Sequence, residues 1–194
     1  MATRNPDATR ARILEAATAE FSAFGIAGAR VDRIAASAGC SKNLIYIYFA
    51  DKETLFATVL KQHLSLVYES NDFTPDDLPA YAGRAFDYAQ AHPDVMRLMA
   101  WFTLEQQAGG SPAERAATMR DKIAQLGSAQ AMGQVDAGLP PAFLIAAVMS
   151  LATGWSVASP FGPALDPESL AAPATLRANV VELVRRITRV PPGE

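Results

Sequence analysis

Residues 31–56 read VDRIAASAGCSKNLIYIYFADKETLF, and the fold turns on how this stretch is parsed. Val31, Ile34, Ala35 and Ala38 recur at helical spacing until Gly39 breaks the run. Ser41 follows, with a hydroxyl able to accept a free N–H of a first helical turn, so a second short helix starts there. Ile45 and Phe49, four residues apart, give it a buried face. Asp51 caps a further helix with the stripe Leu55, Phe56, Val59, Leu60, His63, Leu64 and Val67. Upstream, a longer helix from about Asp7 to Phe24 aligns Leu14, Ala17, Phe21 and Phe24 and ends at Gly25.

Beyond residue 70 the same period continues. The polar, proline-containing stretch 71–79 breaks the chain, and a helix with Tyr81, Ala82, Ala85, Phe86 and Ala89 on one face follows. His92-Pro93-Asp94 opens another with Val95, Leu98, Met99 and Phe102, because Pro suits the first helical position and Asp complements the dipole there. Gly109-Gly110 stops it, and Ser111-Pro112-Ala113-Glu114 is a capping-box pattern for the next. Pro140-Pro141 opens an apolar helix over 142–157, and Pro173 starts the last, with Leu176, Val180, Leu183, Val184 and Ile187. No useful strand alternation is present, so an all-α chain is expected. Its division is an N-terminal three-helix reading module over 1–52 and a helical body over 53–194.

The chain has 194 residues, half of them hydrophobic and 19% charged, which argues against disorder. A net charge of −3 speaks against a uniformly basic coat, but the distribution is uneven: seven basic against five acidic residues over 1–52, ten against fifteen beyond. That asymmetry directs attention to an anionic partner at the front. The single cysteine, Cys40, excludes an internal disulfide and a cysteine zinc cluster, and a reducing compartment fits. The first seven residues lack a signal peptide's apolar core, and the apolar run 142–158 falls short of a bilayer span, so a cytoplasmic chain with no membrane partner is expected. Two histidines about thirty residues apart, with no acidic cluster beside them, offer no metal ligand set, and neither Gly25-Ile-Ala-Gly28 nor Gly109-Gly110 has the context of a phosphate loop. No enzymatic constellation, metal or cofactor is expected.

Two short helices joined by a glycine turn and braced by a longer one describe a helix-turn-helix, whose second helix enters the major groove N-terminal end first. Lys42, Asn43 and Leu44 then stand at the entry, behind Ser41. Lys42 can donate to guanine or to a phosphate, and Asn43 can pair bidentately with adenine or simply help the helix start. Leu44 and Ile47 can touch a thymine methyl. Tyr46 and Tyr48 suit phosphate contacts, as do Lys52 at the start of the fourth helix and Arg30 at the start of the second.

This segment resembles the DNA-binding domain of the TetR family of transcriptional regulators. The match is carried by Phe24-Gly25, Ile34-Ala35, Ala38-Gly39, Ser41, Ile45-Tyr46, Tyr48-Phe49, Asp51-Lys52-Glu53 and Leu55, over roughly residues 8–60. It departs at Asn43, where a small residue, often Gly, is common, and at Arg30, where Ser or Thr often caps the helix. The resemblance implies a homodimer on double-stranded operator DNA, a small-molecule effector within the C-terminal helices, and repression relieved by that effector, with the fourth helix joining reader to pocket.

For the effector, His63, Phe86, Met99, Trp101, Phe102, Met119, Ile123, Met149 and Trp155 form a pool of Met, aromatic and polar side chains, with core packing the alternative reading for each. For dimerisation, Phe143, Ala147 and Leu151 on one helix and Val180, Leu183, Val184 and Ile187 on the last expose more apolar surface than a monomer can leave uncovered. The competing class is a helical protein-interaction adaptor without specific DNA binding.

Overall fold

A computed structural model describes residues 6–70, 72–105 and 113–190, with side chains left aside for 64–70, 105 and 113–115. Among the described residues there are ten α-helices, one short 3-10 helix and no strand. In chain order they are α1 (Pro6–Gly28), α2 (Val31–Ala38), α3 (Lys42–Phe49), α4 (Lys52–Ser70), α5 (Leu78–Ala91), α6 (Pro93–Glu105), α7 (Ala113–Ala131), α8 (Pro141–Thr153), α9 (Gly162–Leu165), the 3-10 helix Glu168–Ala171 and α10 (Pro173–Thr188). The expected stops at Gly109-Gly110 and the cap at Ser111-Pro112 lie outside the described residues, as do the side chains of Leu64 and Val67.

Two compact units emerge, one of residues 1–68 with 92–108, the other of 69–91 with 109–194. The first therefore does not end at residue 52. Leu55, Phe56, Val59 and Leu60 of α4, and Leu98 and Phe102 of α6, share one core with Ile13, Phe21, Ile34, Ile45 and Phe49. One longer and two short helices bury too little apolar surface to stand alone, and α4 and α6 complete that core. Phe21 and Phe56 meet edge to face at 5.1 Å between centroids.

The helix ends follow local chemistry. Gly39 adopts φ 63°, ψ 41°, and the paired bonds from Gly39 N to Ala36 O and Cys40 N to Ala35 O close α2. Ser41 Oγ accepts Leu44 N–H at 3.3 Å, Asp51 Oδ1 accepts Thr54 N–H at 2.7 Å, and Asp77 Oδ1 accepts Ala80 N–H at 3.1 Å. Gly25 sits at φ 65°, ψ −179°, a break inside α1. Phe24, expected on the buried stripe, is instead 48% exposed and carries the Arg33 guanidinium 4.3 Å above its ring. The break at Gly25 comes directly after it and leaves the ring to stack rather than bury.

In the second unit, α10 packs on α5 and α8, and α5 and α7 each pack on α8. Phe86, Leu126, Leu144, Val148, Val180 and Val184 lie in its core. Lys122, buried on α7, donates to Tyr81 Oη at 3.0 Å and lies over the rings of Phe73 and Tyr81. Burial pulls its ammonium below the ordinary lysine value and pushes the Tyr81 phenol up.

Candidate nucleic-acid interface

The interface is built from what α3 does not bury. Ile45 and Phe49 turn into the core of the first unit, which leaves Lys42, Asn43, Tyr46 and Ile47 on the opposite, exposed face. Ile47 is 70% exposed, so its aliphatic side chain is available to an apolar group on a partner. Lys42 Nζ lies 5.9 Å from the Tyr46 ring, and Leu44 is half-buried at the edge of the face. This strip joins a cation, an amide and an apolar side chain over two helical turns, the three kinds of group that read guanine, adenine and thymine edges.

Other expected contacts are placed differently. Tyr48 donates its hydroxyl proton to Pro6 O at 3.2 Å, so it holds the start of α1 and has no proton left for a phosphate. Arg30 forms a fork with Asp32, Nε to Oδ1 at 3.1 Å and Nη2 to Oδ2 at 2.7 Å, and this hydrogen-bonded guanidinium holds the Asp32 carboxyl down at about 2. A phosphate drawn to Arg30 would face that carboxylate as well. Arg33 is likewise paired with Glu20, which also accepts the Arg30 backbone N–H at 2.8 Å. Lys52 Nζ reaches Ala29 O at 3.4 Å and keeps further protons for a phosphate.

Two cations missed in the sequence come from α1. Arg10 lies over the Phe49 ring at 5.5 Å, and Arg12 meets Thr9 Oγ1 at 3.5 Å. Arg12 lies on the side of α1 opposite Leu14 and Ala17, a signal the helical period carries, whereas Arg10 falls four and seven residues before those two on their own side and has no such signal.

The expected effector residues are divided by the fold. Phe102 is core in the first unit and Met99 packs against that core, whereas Phe86 is core in the second with Trp155 packed against it. Trp101 and Met119 are half-buried and Ile123 is exposed. The buried Trp155 indole Nε1 has no hydrogen-bond partner. His63 Nε2 is 3.0 Å from Thr18 Oγ1 on α1. The expected dimer face needs one correction. Val180 and Val184 point into their own core and cannot meet a second copy, because α10 turns that stripe onto α5 and α8. Phe143 at 60% and Leu183 at 43% remain exposed, with Ala147, Leu151 and Ile187 half-buried. Among the described residues no group of three or more His, Cys, Asp or Glu could hold a metal ion, and no helix is long and apolar enough to cross a membrane.

A capped recognition helix with a polar and apolar outer face, braced on a longer helix and joined to a helical body, defines a helix-turn-helix DNA-binding regulator. Residues 13–59 match the family model for bacterial regulatory proteins of the tetR family, and residues 77–186 that for the tetracyclin repressor-like C-terminal domain. The HTH-type transcriptional repressor SCO4008 of Streptomyces coelicolor is 41% identical over 162 residues, covering 82% of this chain and 84% of that protein. The crystal structure of SCO4942 from Streptomyces coelicolor, described as a transcriptional regulator, superposes with a TM-score of 0.81 at 38% identity, over 94% of this chain and 99% of that one. At 17% identity, FadR of Bacillus subtilis, solved with stearoyl-CoA, shares the fold with a TM-score of 0.64 over 90% and 97% of the two chains. The chain belongs to the TetR family of transcriptional regulators.

Proposed function

We propose that the protein is a homodimeric repressor that holds an operator through α3 and leaves it when a small, largely apolar effector binds the helical body. The observation that carries the reading is the outer face of α3: Lys42, Asn43, Tyr46 and Ile47 stand exposed on a helix whose other face is locked by Ile45 and Phe49. Asn43 is assigned to an adenine, Lys42 to a guanine or phosphate, and Ile47 with Leu44 to thymine methyls. Ser41 sets the entry of α3, Tyr46 lies at the groove edge, and Lys52 clamps a phosphate. In the body, Met119 and Ile123 are the expected effector side chains left outside the core, and Phe143 with Leu183 marks the face for a second copy. FadR with its bound stearoyl-CoA is an instance of this fold in complex with a ligand that carries a long apolar acyl chain.

Selection of duplexes from a random pool tests the reading. Wild-type protein enriches a near-palindrome with half-sites about one helical turn or more apart. Asn43→Gly enriches a different sequence at the position that Asn43 reads. No enrichment at any salt concentration overturns the assignment, and an unchanged preference removes Asn43 from base reading.

A further inference from the structure

The first unit carries a cleft of about 210 Å³ between α1 and α3, lined among others by Arg12 from α1, by Gly39 and Ser41 from the turn, and by Asn43, Leu44 and Ile47 of α3. We propose that this cleft seats a phosphate of the DNA backbone and that Arg12 is the residue that pairs with it. The inference rests on the DNA-reading assignment of α3.

The argument begins with charge. Arg30 and Arg33, the cations of the turn into α2, are both held by carboxylates of their own chain. Arg12 is exposed, has no carboxylate partner among the described residues, and meets Thr9 Oγ1 at the long distance of 3.5 Å. Its guanidinium therefore offers a nearly complete set of N–H donors in the fork geometry that suits phosphate oxygens. Ser41 adds a second donor: its oxygen accepts from Leu44 N, which leaves the hydroxyl proton free to point into the cleft. No acidic side chain lines the space, and a Cβ placed on Gly39 would meet no atom within 4 Å, so that wall is open. Leu44 and Ile47 line the other side.

Position selects the phosphate over a base. A helix lying in the major groove has a sugar-phosphate strand along each flank. Asn43 and Ile47 face the groove floor, and Arg12 reaches the same cleft from the flanking helix.

The test measures the affinity of full-length wild type, Arg12→Ala, Arg12→Gln and Arg12→Lys for the duplex that wild type selects, over a series of salt concentrations. Each protomer of the dimer loses one phosphate contact, so the slope of log affinity against log salt falls by about 1.8 in magnitude and binding weakens roughly a hundredfold at moderate salt. Arg12→Ala and Arg12→Gln both show this change with an unaltered selected sequence, and Arg12→Lys restores the slope. Arg12→Gln keeps a polar, helix-compatible side chain at an exposed position, so it reports even if the alanine variant melts early. Wild-type slopes in both neutral variants, or an altered base preference, overturn the phosphate assignment while wild-type enrichment of a duplex leaves the regulator reading standing. If wild type enriches no duplex, both readings fall together.

Discussion

At the scale of the residue, the partners of a side chain decide its role more than its identity does. Arg30 and Arg12 are the same amino acid about eighteen positions apart, yet Asp32 occupies the first and nothing acidic among the described residues occupies the second. The sequence presents Asp32 two residues from Arg30, but an i,i+2 pair on a regular helix points apart, and the fork forms only because Arg30 is the extended residue ahead of α2, with φ −121° and ψ 123°. His63 is a second case. Thr18 Oγ1 donates to Leu14 O at 2.8 Å, so its lone pair faces His63 Nε2, and that nitrogen must carry the proton. Burial lowers the imidazole below its ordinary value, with Asp94 opposing and His92 reinforcing the shift. The unfolded chain then binds a proton more readily than the native one. The contribution of His63 is full above about pH 6.5 and is lost as pH falls from there toward the depressed native value. Thermal melts from pH 8 to pH 5 show wild type declining more steeply than His63→Gln, and parallel declines would refute the burial argument.

At the scale of the element, the helices were legible wherever one residue type has one local use. Ser41, Asp51 and Gly39 cap as their chemistry dictates, and Ile45 with Phe49 turns α3 inward. The break at Gly25 was also legible, although its form was not: with φ 65° and ψ −179° it occupies a region essentially restricted to glycine. Gly25→Ala should therefore destabilise the protein by about 1–3 kcal/mol, read as a lower urea midpoint with unchanged slope. Gly39→Asn should lose less, since φ 63°, ψ 41° is left-handed helical space that Asn tolerates and no atom crowds the position. Equal midpoints for Gly25→Ala and wild type would show that the joint relaxes without strain. The turn 154–157, read as the end of α8, lies beyond it, because α8 stops at Thr153 and Gly154 N bonds back to Leu151 O.

At the scale of the whole molecule, apolar periodicity could not say which of two apolar faces meets its own chain and which meets another. Val180, Val184 and Leu183 all lie on α10 within one helical turn of each other, yet the first two fill the core with Leu144 and Val148 and the third is exposed. Leu183→Glu combined with Phe143→Glu should give a folded monomer by sedimentation, with helicity kept because both side chains are exposed. Dimer retained by that double variant would remove this face from self-association. Val184→Glu should unfold the second unit instead, since a carboxylate would be buried without a partner. The effector residues scattered for the same reason: Phe86 and Phe102 are both aromatic residues on the apolar stripe of a helix, but each fills a different core. What the sequence by itself determined was the all-α class, the helix-turn-helix and which face of α3 stays outside the core, because capping, glycine conformation and helical period act over three or four residues. Only the tertiary structure decided that α4 and α6 complete the first core, that Arg30 is neutralised and Arg12 is not, and which face of α10 is left open. Those outcomes depend on which distant groups arrive at the same place, and neither burial nor ion pairing has a period that a linear sequence records.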